Sequence, residues 1–208
     1  MVMKNILITG IGGFIGYHVG RGLLEQGYFV TGVDNLNNYY DHRLKVDRID
    51  VLKRNPNFSF RKSNICNKII TSGVDYDCVI HLAAQAGVRY SIENPSAYVQ
   101  SNLVGFSTIL EWVRSLDNNP LFLYASSSSV YGKSDRMPLS ENDITDNPIS
   151  LYAATKKSNE VMAYSYKSLY GIRSVGMRFF SVYGPWGRPD MAPYIFTKSI
   201  LNLSLIHI

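Results

Sequence analysis

A glycine-rich turn that directly follows the first predicted strand constrains this chain more than any other feature. The apolar run at 5–9 leads into Gly-Ile-Gly-Gly-Phe-Ile-Gly, in which Gly10, Gly13 and Gly16 have the spacing G-x-x-G-x-x-G. Glycine lets the backbone turn sharply and approach a pyrophosphate, and the N-terminus of the next helix offers free N–H groups and partial positive charge. This strand–turn–helix context predicts a dinucleotide-binding site.

An acidic residue at the end of the second predicted strand adds to this motif. Asp34 stands 21 residues after Gly13. A carboxylate in that place accepts hydrogen bonds from both hydroxyls of an adenosine ribose and repels a 2′-phosphate, so the pattern favours NAD over NADP. The alternative is an ordinary glycine turn with a capping aspartate.

Short apolar runs alternate with longer amphipathic segments along most of the chain. Strands are predicted at 5–9, 29–34, 58–62, 78–83, 121–126 and 174–179, and helices at 14–26, 40–54, 95–115 and 150–170. This alternation predicts an α/β fold with a doubly wound parallel sheet of Rossmann type, whose ligands lie at the carboxyl ends of the strands. Pro95 suits a first helical position with Asn94 as its cap, and Gly171 suits a helix stop.

Composition excludes several other classes of protein. The 208 residues are 46% apolar and 18% charged, which is ordinary for a globular chain. The net charge of +5 suits a phosphate-bearing ligand, but no basic run is longer than Lys156-Lys157, which argues against nucleic acid. Five glycines between Gly10 and Gly20 argue against a membrane span. Scattered histidines predict no metal site, and two unpaired cysteines without a signal peptide predict a cytoplasmic protein.

A tyrosine and a lysine four residues apart mark a candidate catalytic pair. Tyr152 and Lys156 share a face of the predicted helix, and a nearby ammonium lowers the pKa of a phenol, which makes it a usable general base. The spacing alone is weak, because Tyr194 and Lys198 match it too. Only the first pair follows a hydroxyl cluster at a strand end, the four serines at 126–129. Those serines have a second interpretation, in which they satisfy loop backbone groups.

At these residues the chain resembles the extended short-chain dehydrogenase/reductase family, and within it most nearly the UDP-glucuronate 4-epimerases. The resemblance rests on six stretches, at 9–16, 34–41, 81–91, 126–132, 152–156 and 178–192. Ala-Gly-Val-Arg-Tyr-Ser at 86–91 and Gly-Pro-Trp-Gly-Arg-Pro-Asp-Met at 184–191 are the narrowest markers. The resemblance implies a homodimer paired through the helices at 95–115 and 150–170, a UDP-sugar substrate and a role in polysaccharide biosynthesis.

The resemblance also implies a role for each matching residue. Tyr152 would take the proton from the sugar 4-hydroxyl, Lys156 would hold the nicotinamide ribose, and Ser127 would donate a hydrogen bond to the ketone oxygen. The implied NAD contacts are Gly10, Gly13, Phe14, Ile15, Gly16, Asp34, Asn35, Asn64, Ile65, Leu82, Ala83, Ala84, Asn102, Tyr152 and Lys156. The implied substrate contacts are Arg89, Ser127, Ser128, Ser129, Tyr152, Ser181 and Arg188.

The chain departs from the family pattern at three places. Asn64 stands where an acidic residue is common, and Ser181 stands where related enzymes carry threonine. The third departure is length: with 1–183 as the NAD-binding domain, residues 184–202 would only begin a smaller C-terminal substrate domain that is largely missing. Residues 203–208 can be encoded by a transposon-end sequencing adapter, so we expect them to be an appended artefact.

Three other functions remain open at this point. A nucleotide-sugar dehydratase or a UDP-glucuronate decarboxylase has the same fold, although a dehydratase needs Asp-Glu where this chain has Ser128 and Ser129. A second alternative is an NAD-binding protein without turnover, against which the intact Ser127, Tyr152 and Lys156 argue. The third is an inactive fragment.

Overall fold

The computed structural model describes residues 4–67, 74–134 and 137–203, in which six strands alternate with helices. The strands are β1 (Asn5–Thr9), β2 (Phe29–Asp34), β3 (Phe58–Lys62), β4 (Cys78–His81), β5 (Leu121–Ser127) and β6 (Ser174–Phe179). The helices are α1 (Phe14–Glu25), α2 (Arg43–Leu52), α3 (Tyr90–Glu93), α4 (Pro95–Tyr98), α5 (Gly105–Arg114), α6 (Leu151–Tyr170) and α7 (Ala192–Leu201). A π-helical segment, Val99–Val104, joins α4 to α5, and a 3₁₀ turn, Ser128–Tyr131, follows β5.

All strand pairs are parallel, and the sheet has the order β3-β2-β1-β4-β5-β6. Side chains alternate across the sheet because successive residues of a strand point to opposite faces. Ile6 and Ile8 pack in one apolar cluster with residues of α1 and α2, whereas Leu7 packs in a second cluster with residues of α5. The predicted doubly wound Rossmann-type fold is therefore confirmed. Strands β1 to β3 extend the sheet to one side and β4 to β6 extend it to the other, so the strand order switches between β1 and β4.

The predicted strand bounds hold except at two strand ends. β4 stops at His81 instead of residue 83, because the last ladder bond runs from Leu82 N to Thr9 O and the next N–H, on Ala83, donates to the Thr9 side chain. β5 extends to Ser127, which pairs with Phe179 of β6. α2 begins at Arg43 instead of residue 40, where the Asp41 carboxylate accepts from the Arg43 N–H.

The long helix predicted at 95–115 is interrupted by the π-helical segment. Asn94 caps its start by accepting from Ala97 N, as expected, but the i→i+4 ladder gives way at Val99–Val104. Single-turn π segments occur often at functional sites, because they rotate a side chain out of the regular helical register. Here the segment places Asn102 in the interior, 2% exposed.

Capping fixes α6 at both ends. The Ser150 hydroxyl oxygen accepts from Ala153 N at 3.1 Å, and Gly171 ends the helix in the left-handed region with φ +69°. The predicted stop at Gly171 is confirmed, and the helix packs against β5.

The C-terminal part of the described chain is less enclosed. No residue of α7 is buried. Of the tail expected to be an artefact, residues 204–208 lie outside the described residues. Across the described ranges, no helix has the length and apolar character needed to cross a bilayer. The same ranges hold no group of three or more His, Cys, Asp or Glu side chains arranged to bind a metal.

Candidate active site

One large cleft of about 720 Å³ lies at the carboxyl ends of the strands. Most residues implied in cofactor or substrate binding line it, from both halves of the sheet. Those residues are Gly10, Gly13, Phe14, Ile15, Gly16, Asp34, Asn35, Ile65, Leu82, Ala83, Ala84, Arg89, Ser127, Ser128, Ser129, Tyr152, Lys156, Ser181 and Arg188. The fold therefore brings together residues that lie more than 170 positions apart in the sequence.

The glycine loop has the geometry that a pyrophosphate requires. Gly10 adopts φ +75°, and a Cβ there would lie 2.7 Å from the backbone nitrogen of Ala83. Helix α1 begins behind Gly13 with no side-chain cap and no acidic residue in its first turn. Its first N–H groups and its partial positive charge therefore face the cleft without a competing protein anion, which fits a dinucleotide phosphate group.

Asp34 closes the glycine loop from the second strand. Its carboxylate is 8% exposed and accepts from Gly12 N at 3.0 Å and from Leu36 N at 2.8 Å. A carboxylate has about four lone-pair sites, so both oxygens keep capacity for ribose hydroxyls. The two backbone bonds give Asp34 a capping role in the loop. Asp34 also lines the cleft, where its carboxylate is able to accept hydrogen bonds from a ribose.

The candidate pair Tyr152 and Lys156 lies on one face of α6, but the expected lowering of the phenol pKa is wrong for this structure. Burial raises the pKa of Tyr152, while its interaction with Ser127 and the charge of Arg188 act in the opposite direction. Lys156 instead donates to the Ala125 carbonyl at 2.9 Å, and burial lowers its own pKa to about 8. Desolvation of the ring thus outweighs the effects of Ser127 and Arg188 on the Tyr152 pKa.

The serine cluster divides its hydroxyls between two tasks. Ser127 Oγ accepts from Ser129 N and donates to Ser129 Oγ, both at 3.1 Å, beside Tyr152 in the cleft. Ser126 Oγ donates instead to Glu160 at 2.6 Å. The interpretation in which a serine satisfies a loop backbone group therefore describes Ser127, whose oxygen caps the Ser129 N–H, and Ser126 bonds a side chain of α6 instead. The position of Ser127 beside Tyr152 also suits a hydroxyl that faces substrate.

Glu160 supports the site although no sequence motif indicated it. It lies one helical turn beyond Lys156 and accepts from Arg178 Nε at 2.9 Å and Nη2 at 3.0 Å, besides Ser126. Burial raises its pKa, but the hydrogen bonds from Arg178 and Ser126 outweigh burial and hold the pKa below its ordinary value. The signal for it was the i+4 repeat 152, 156, 160 along one helix face. Glu160 thereby fixes the end of β5 that carries Ser127.

We expect Glu160→Gln to lower the free energy of unfolding by about 1.5–3 kcal/mol at pH 7, the usual contribution of hydrogen bonds to a charged group. The Glu160 pKa falls on folding, so this contribution is complete above about pH 4.3 and is lost as the pH falls through the folded value. Urea unfolding at pH 7 and at pH 3 measures it. The matched control is Glu25→Gln, which removes an exposed pair with Arg21 and should cost about 1 kcal/mol or less. Equal losses in the two variants would contradict this role.

Arg188 lies at the cleft with a partner that the sequence did not indicate. Its Nε donates to Asp190 Oδ1 at 3.0 Å and its Nη2 to Oδ2 at 2.5 Å, and Tyr39 OH donates to the same carboxylate at 3.1 Å. The Arg188 guanidinium also lies against Tyr39, with Cζ 5.8 Å from the ring centroid. Asp190 and Tyr39 therefore orient the guanidinium at the cleft. Ser181 lines the same cleft.

Two predicted cofactor contacts are not brought to the cleft. The amide of Asn102 donates to Gln85 O and Thr155 Oγ1 and accepts from Gln85 N, so both of its protons are used inside the protein. Asn102 ties the loop after β4 to α6 and has a positioning role in this structure. Asn64 is exposed, and its side-chain oxygen accepts from Cys66 N at 3.0 Å.

Comparison with known proteins finds nucleotide-sugar enzymes among those to which this chain is similar. A family model described as GDP-mannose 4,6 dehydratase matches residues 7–206. Protein CapI of Staphylococcus aureus is 54% identical over 95% of this chain and 60% of its own length. UDP-glucuronate 4-epimerase 4 of Arabidopsis thaliana is 49% identical over 95% of this chain and 46% of its own length.

A solved structure gives the same result at the level of the fold. The crystal structure of UDP-glucuronic acid 4-epimerase from Bacillus cereus in complex with UDP-glucuronic acid and NAD matches with a TM-score of 0.88 and 36% identity. The match covers 95% of this chain and 63% of that one. The chain thus spans between 46% and 63% of the length of these three relatives.

Proposed function

This chain belongs to the family of NAD-dependent epimerases and dehydratases, and we propose that it is part of a UDP-sugar 4-epimerase whose substrate is UDP-glucuronate. The observation that carries the proposal is the convergence of Ser127, Tyr152 and Arg188 in one cleft, where the first and third both act on the pKa of the Tyr152 phenol. An active hydroxyl, a base and a carboxylate-binding cation are the groups that this reaction needs.

NAD fits the first half of the cleft, where Gly10, Gly13, Gly16 and Asp34 would hold it beside Lys156. When bound, it supplies a hydride acceptor for C4 of the sugar and a positive charge. The chain's own contribution is to close the glycine loop on Asp34 and to present the uncapped start of α1 to the phosphates. The similar crystal structure from Bacillus cereus is a complex that contains NAD.

Proton movement falls to Tyr152 and Ser127. The Tyr152 oxygen takes the proton of the 4-hydroxyl as the ketone forms and returns it when the opposite epimer is made. The bond from Ser129 N holds the Ser127 oxygen in place, and the Ser127 hydroxyl turns its single proton from Ser129 Oγ to the substrate oxygen on which negative charge develops. Because burial raises the Tyr152 pKa, the charges and donors around the phenol have to lower it within the complete site.

A carboxylate on the sugar makes the 4-keto intermediate a β-keto acid, which loses CO₂ when the carboxylate bond aligns with the carbonyl π system. An epimerase has to hold that carboxylate out of alignment. Bidentate binding by a guanidinium with a neighbouring hydroxyl fixes the carboxylate plane. We assign this to Arg188 and Ser181, with Asp190 and Tyr39 orienting the guanidinium.

A dehydratase remains the nearest alternative because the family includes such enzymes. That reaction eliminates water with the help of an acidic pair after the catalytic hydroxyl, and this chain has Ser128 and Ser129 there. Neither serine can act as a carboxylic acid. A cytoplasmic location is part of the proposal, and the free thiols of Cys66 and Cys78 support it.

In the full-length protein, we expect Arg188→Ala to lower kcat/KM for UDP-glucuronate by about 10- to 100-fold, the effect of losing charge-assisted hydrogen bonds of about 1.5–3 kcal/mol. UDP-glucose, which lacks the carboxylate, should lose much less. Initial rates with both substrates measure the difference. Because the substitution leaves Asp190 unpaired, the double variant Arg188→Ala/Asp190→Ala is the control. Equal losses for the two sugars in both variants would contradict acidic-sugar recognition.

We propose further that the full-length enzyme is a homodimer paired through the helical layer of α4, α5 and α6. Apolar side chains are exposed on α6 and on the π-helical segment between α4 and α5, among them Val99, Val104, Val161 and Tyr164. Exposed apolar residues grouped on helices are typical of protein interfaces. Light scattering at micromolar concentration should give twice the chain mass. A monomer at that concentration would contradict the dimer.

A further inference from the structure

A buried arginine outside every predicted motif connects the two halves of the cleft. Arg48 of α2 is 0% exposed, and within the described ranges it forms no ion pair with a carboxylate. Its hydrogen bonds go to Gly12 O at 2.8 Å, to Tyr40 OH at 2.9 Å and to the Trp186 carbonyl. Its Nε has no partner there. A buried cation without a counter-charge is unfavourable for stability, which points to a functional reason for its position.

On the cofactor side, Arg48 fixes one peptide of the glycine loop. The Gly12 carbonyl accepts from Arg48, and the N–H of the same peptide, on Gly13, donates to Gly10 O at 3.0 Å. The preceding N–H, on Gly12, donates to Asp34. Because a peptide is planar, these bonds set the direction of the backbone that leads into α1.

On the substrate side, the Trp186 carbonyl that Arg48 holds lies two residues before Arg188. The same loop makes other contacts with the cofactor half of the molecule. His18 of α1 bonds the Pro185 carbonyl at 2.9 Å, and the Trp186 ring lies 5.6 Å from the ring of Tyr17. The loop at 184–187 is therefore attached to α1 and α2.

We propose that Arg48 is a positioning residue that couples binding of the dinucleotide at the glycine loop to ordering of the loop at 184–190, which carries Arg188 and Asp190. A ligand that rigidifies the glycine loop restrains the Gly12 carbonyl, and the guanidinium passes that restraint to the Trp186 carbonyl. The sugar end of the cleft is then more rigid when the cofactor is in place. This inference rests on the proposed NAD site and holds whichever sugar is the substrate.

Hydrogen exchange of backbone amides with and without NAD tests the coupling in the full-length protein, and calorimetry of NAD binding accompanies it. In the wild type, NAD should slow exchange in the segment 183–191 by at least about fivefold, the lower end of typical coupling between sites. Arg48→Met should lose this protection and bind NAD more weakly. Arg48→Lys keeps the positive charge and is less disruptive to folding. It should lose most of the protection from exchange, because one ammonium replaces a guanidinium that reaches two carbonyls.

The matched control is Arg43→Met, on the same helix, where the arginine is exposed and paired with Asp41. It should retain the wild-type protection and NAD affinity. Wild-type protection in Arg48→Lys or Arg48→Met, or NAD binding to the wild type without protection of 183–191, would overturn the coupling alone. Failure of the wild type to bind NAD in calorimetry would overturn the proposed cofactor, and the coupling with it.

Discussion

Tyr152→Phe in the full-length protein should lower the rate of epimerisation by about 10²–10⁴-fold, the usual contribution of a positioned general base. The substitution removes only the phenol oxygen that takes the sugar proton. The ring contact with Tyr98, at 6.1 Å between centroids, stays in place. NAD affinity should therefore change less than about threefold, since a structural role would affect binding and stability together.

Initial rates with UDP-glucuronate and calorimetry with NAD measure the two quantities separately. Tyr194→Phe is the matched control, because Tyr194 has the same spacing to Lys198 but lies on α7, 46% exposed. It should keep the wild-type rate. A Tyr152→Phe enzyme that retains more than about a tenth of the wild-type rate would contradict the assigned base.

Gly10→Ala should abolish NAD binding and destabilise the fold. The residue has φ +75°, which costs a non-glycine residue about 1–3 kcal/mol, and the new Cβ would meet only backbone atoms. Ala83 N would lie at 2.7 Å, with Ala83 Cα and the Leu82 carbonyl carbon at 2.9 Å. Since backbone cannot rotate away, the loop has to move from the place where the phosphates bind.

Gly22→Ala, in α1, should stabilise the fold instead of destabilising it and should leave NAD binding unchanged. Nothing lies within 4 Å of a Cβ at Gly22, so alanine there should stabilise α1 by about 0.5–1 kcal/mol through helix propensity. Urea unfolding and NAD calorimetry on both variants measure the contrast. Unchanged NAD affinity in Gly10→Ala would show that the dinucleotide does not bind at this turn.

Local signals explain which parts of the fold were predictable. The glycine turn, the Asn94 cap and the Gly171 stop each act within a few residues, and the structure places all three where the pattern indicated. Four of the six strands have the predicted bounds, and both errors fall at the carboxyl ends of β4 and β5, where the chain leaves the interior of the sheet to line the cleft.

The missed features depend on contacts between distant segments. Helical periodicity cannot show that Asn102 turns inward in a π-helical segment, where its amide donates hydrogen bonds to Gln85 and Thr155. Spacing likewise placed Lys156 beside Tyr152 without showing that its ammonium binds the Ala125 carbonyl.

Charged groups at the cleft show the same limit. Asp190 is two residues from Arg188, yet only the folded chain shows that Tyr39 joins the pair. Arg48 gave no signal, because a single arginine in an amphipathic helix looks like a surface residue. Its burial results from the docking of a loop that begins 136 residues later in the chain.

The most direct test of the proposed function is product analysis by NMR after the full-length protein is incubated with UDP-glucuronate and NAD. The positions of Arg188 and Ser181 in the cleft predict a mixture of UDP-glucuronate and UDP-galacturonate, with no release of CO₂. The Tyr152→Phe variant should form no detectable UDP-galacturonate. Release of CO₂ with a pentose product, elimination of water, or turnover of UDP-glucose in preference to UDP-glucuronate would contradict the assignment.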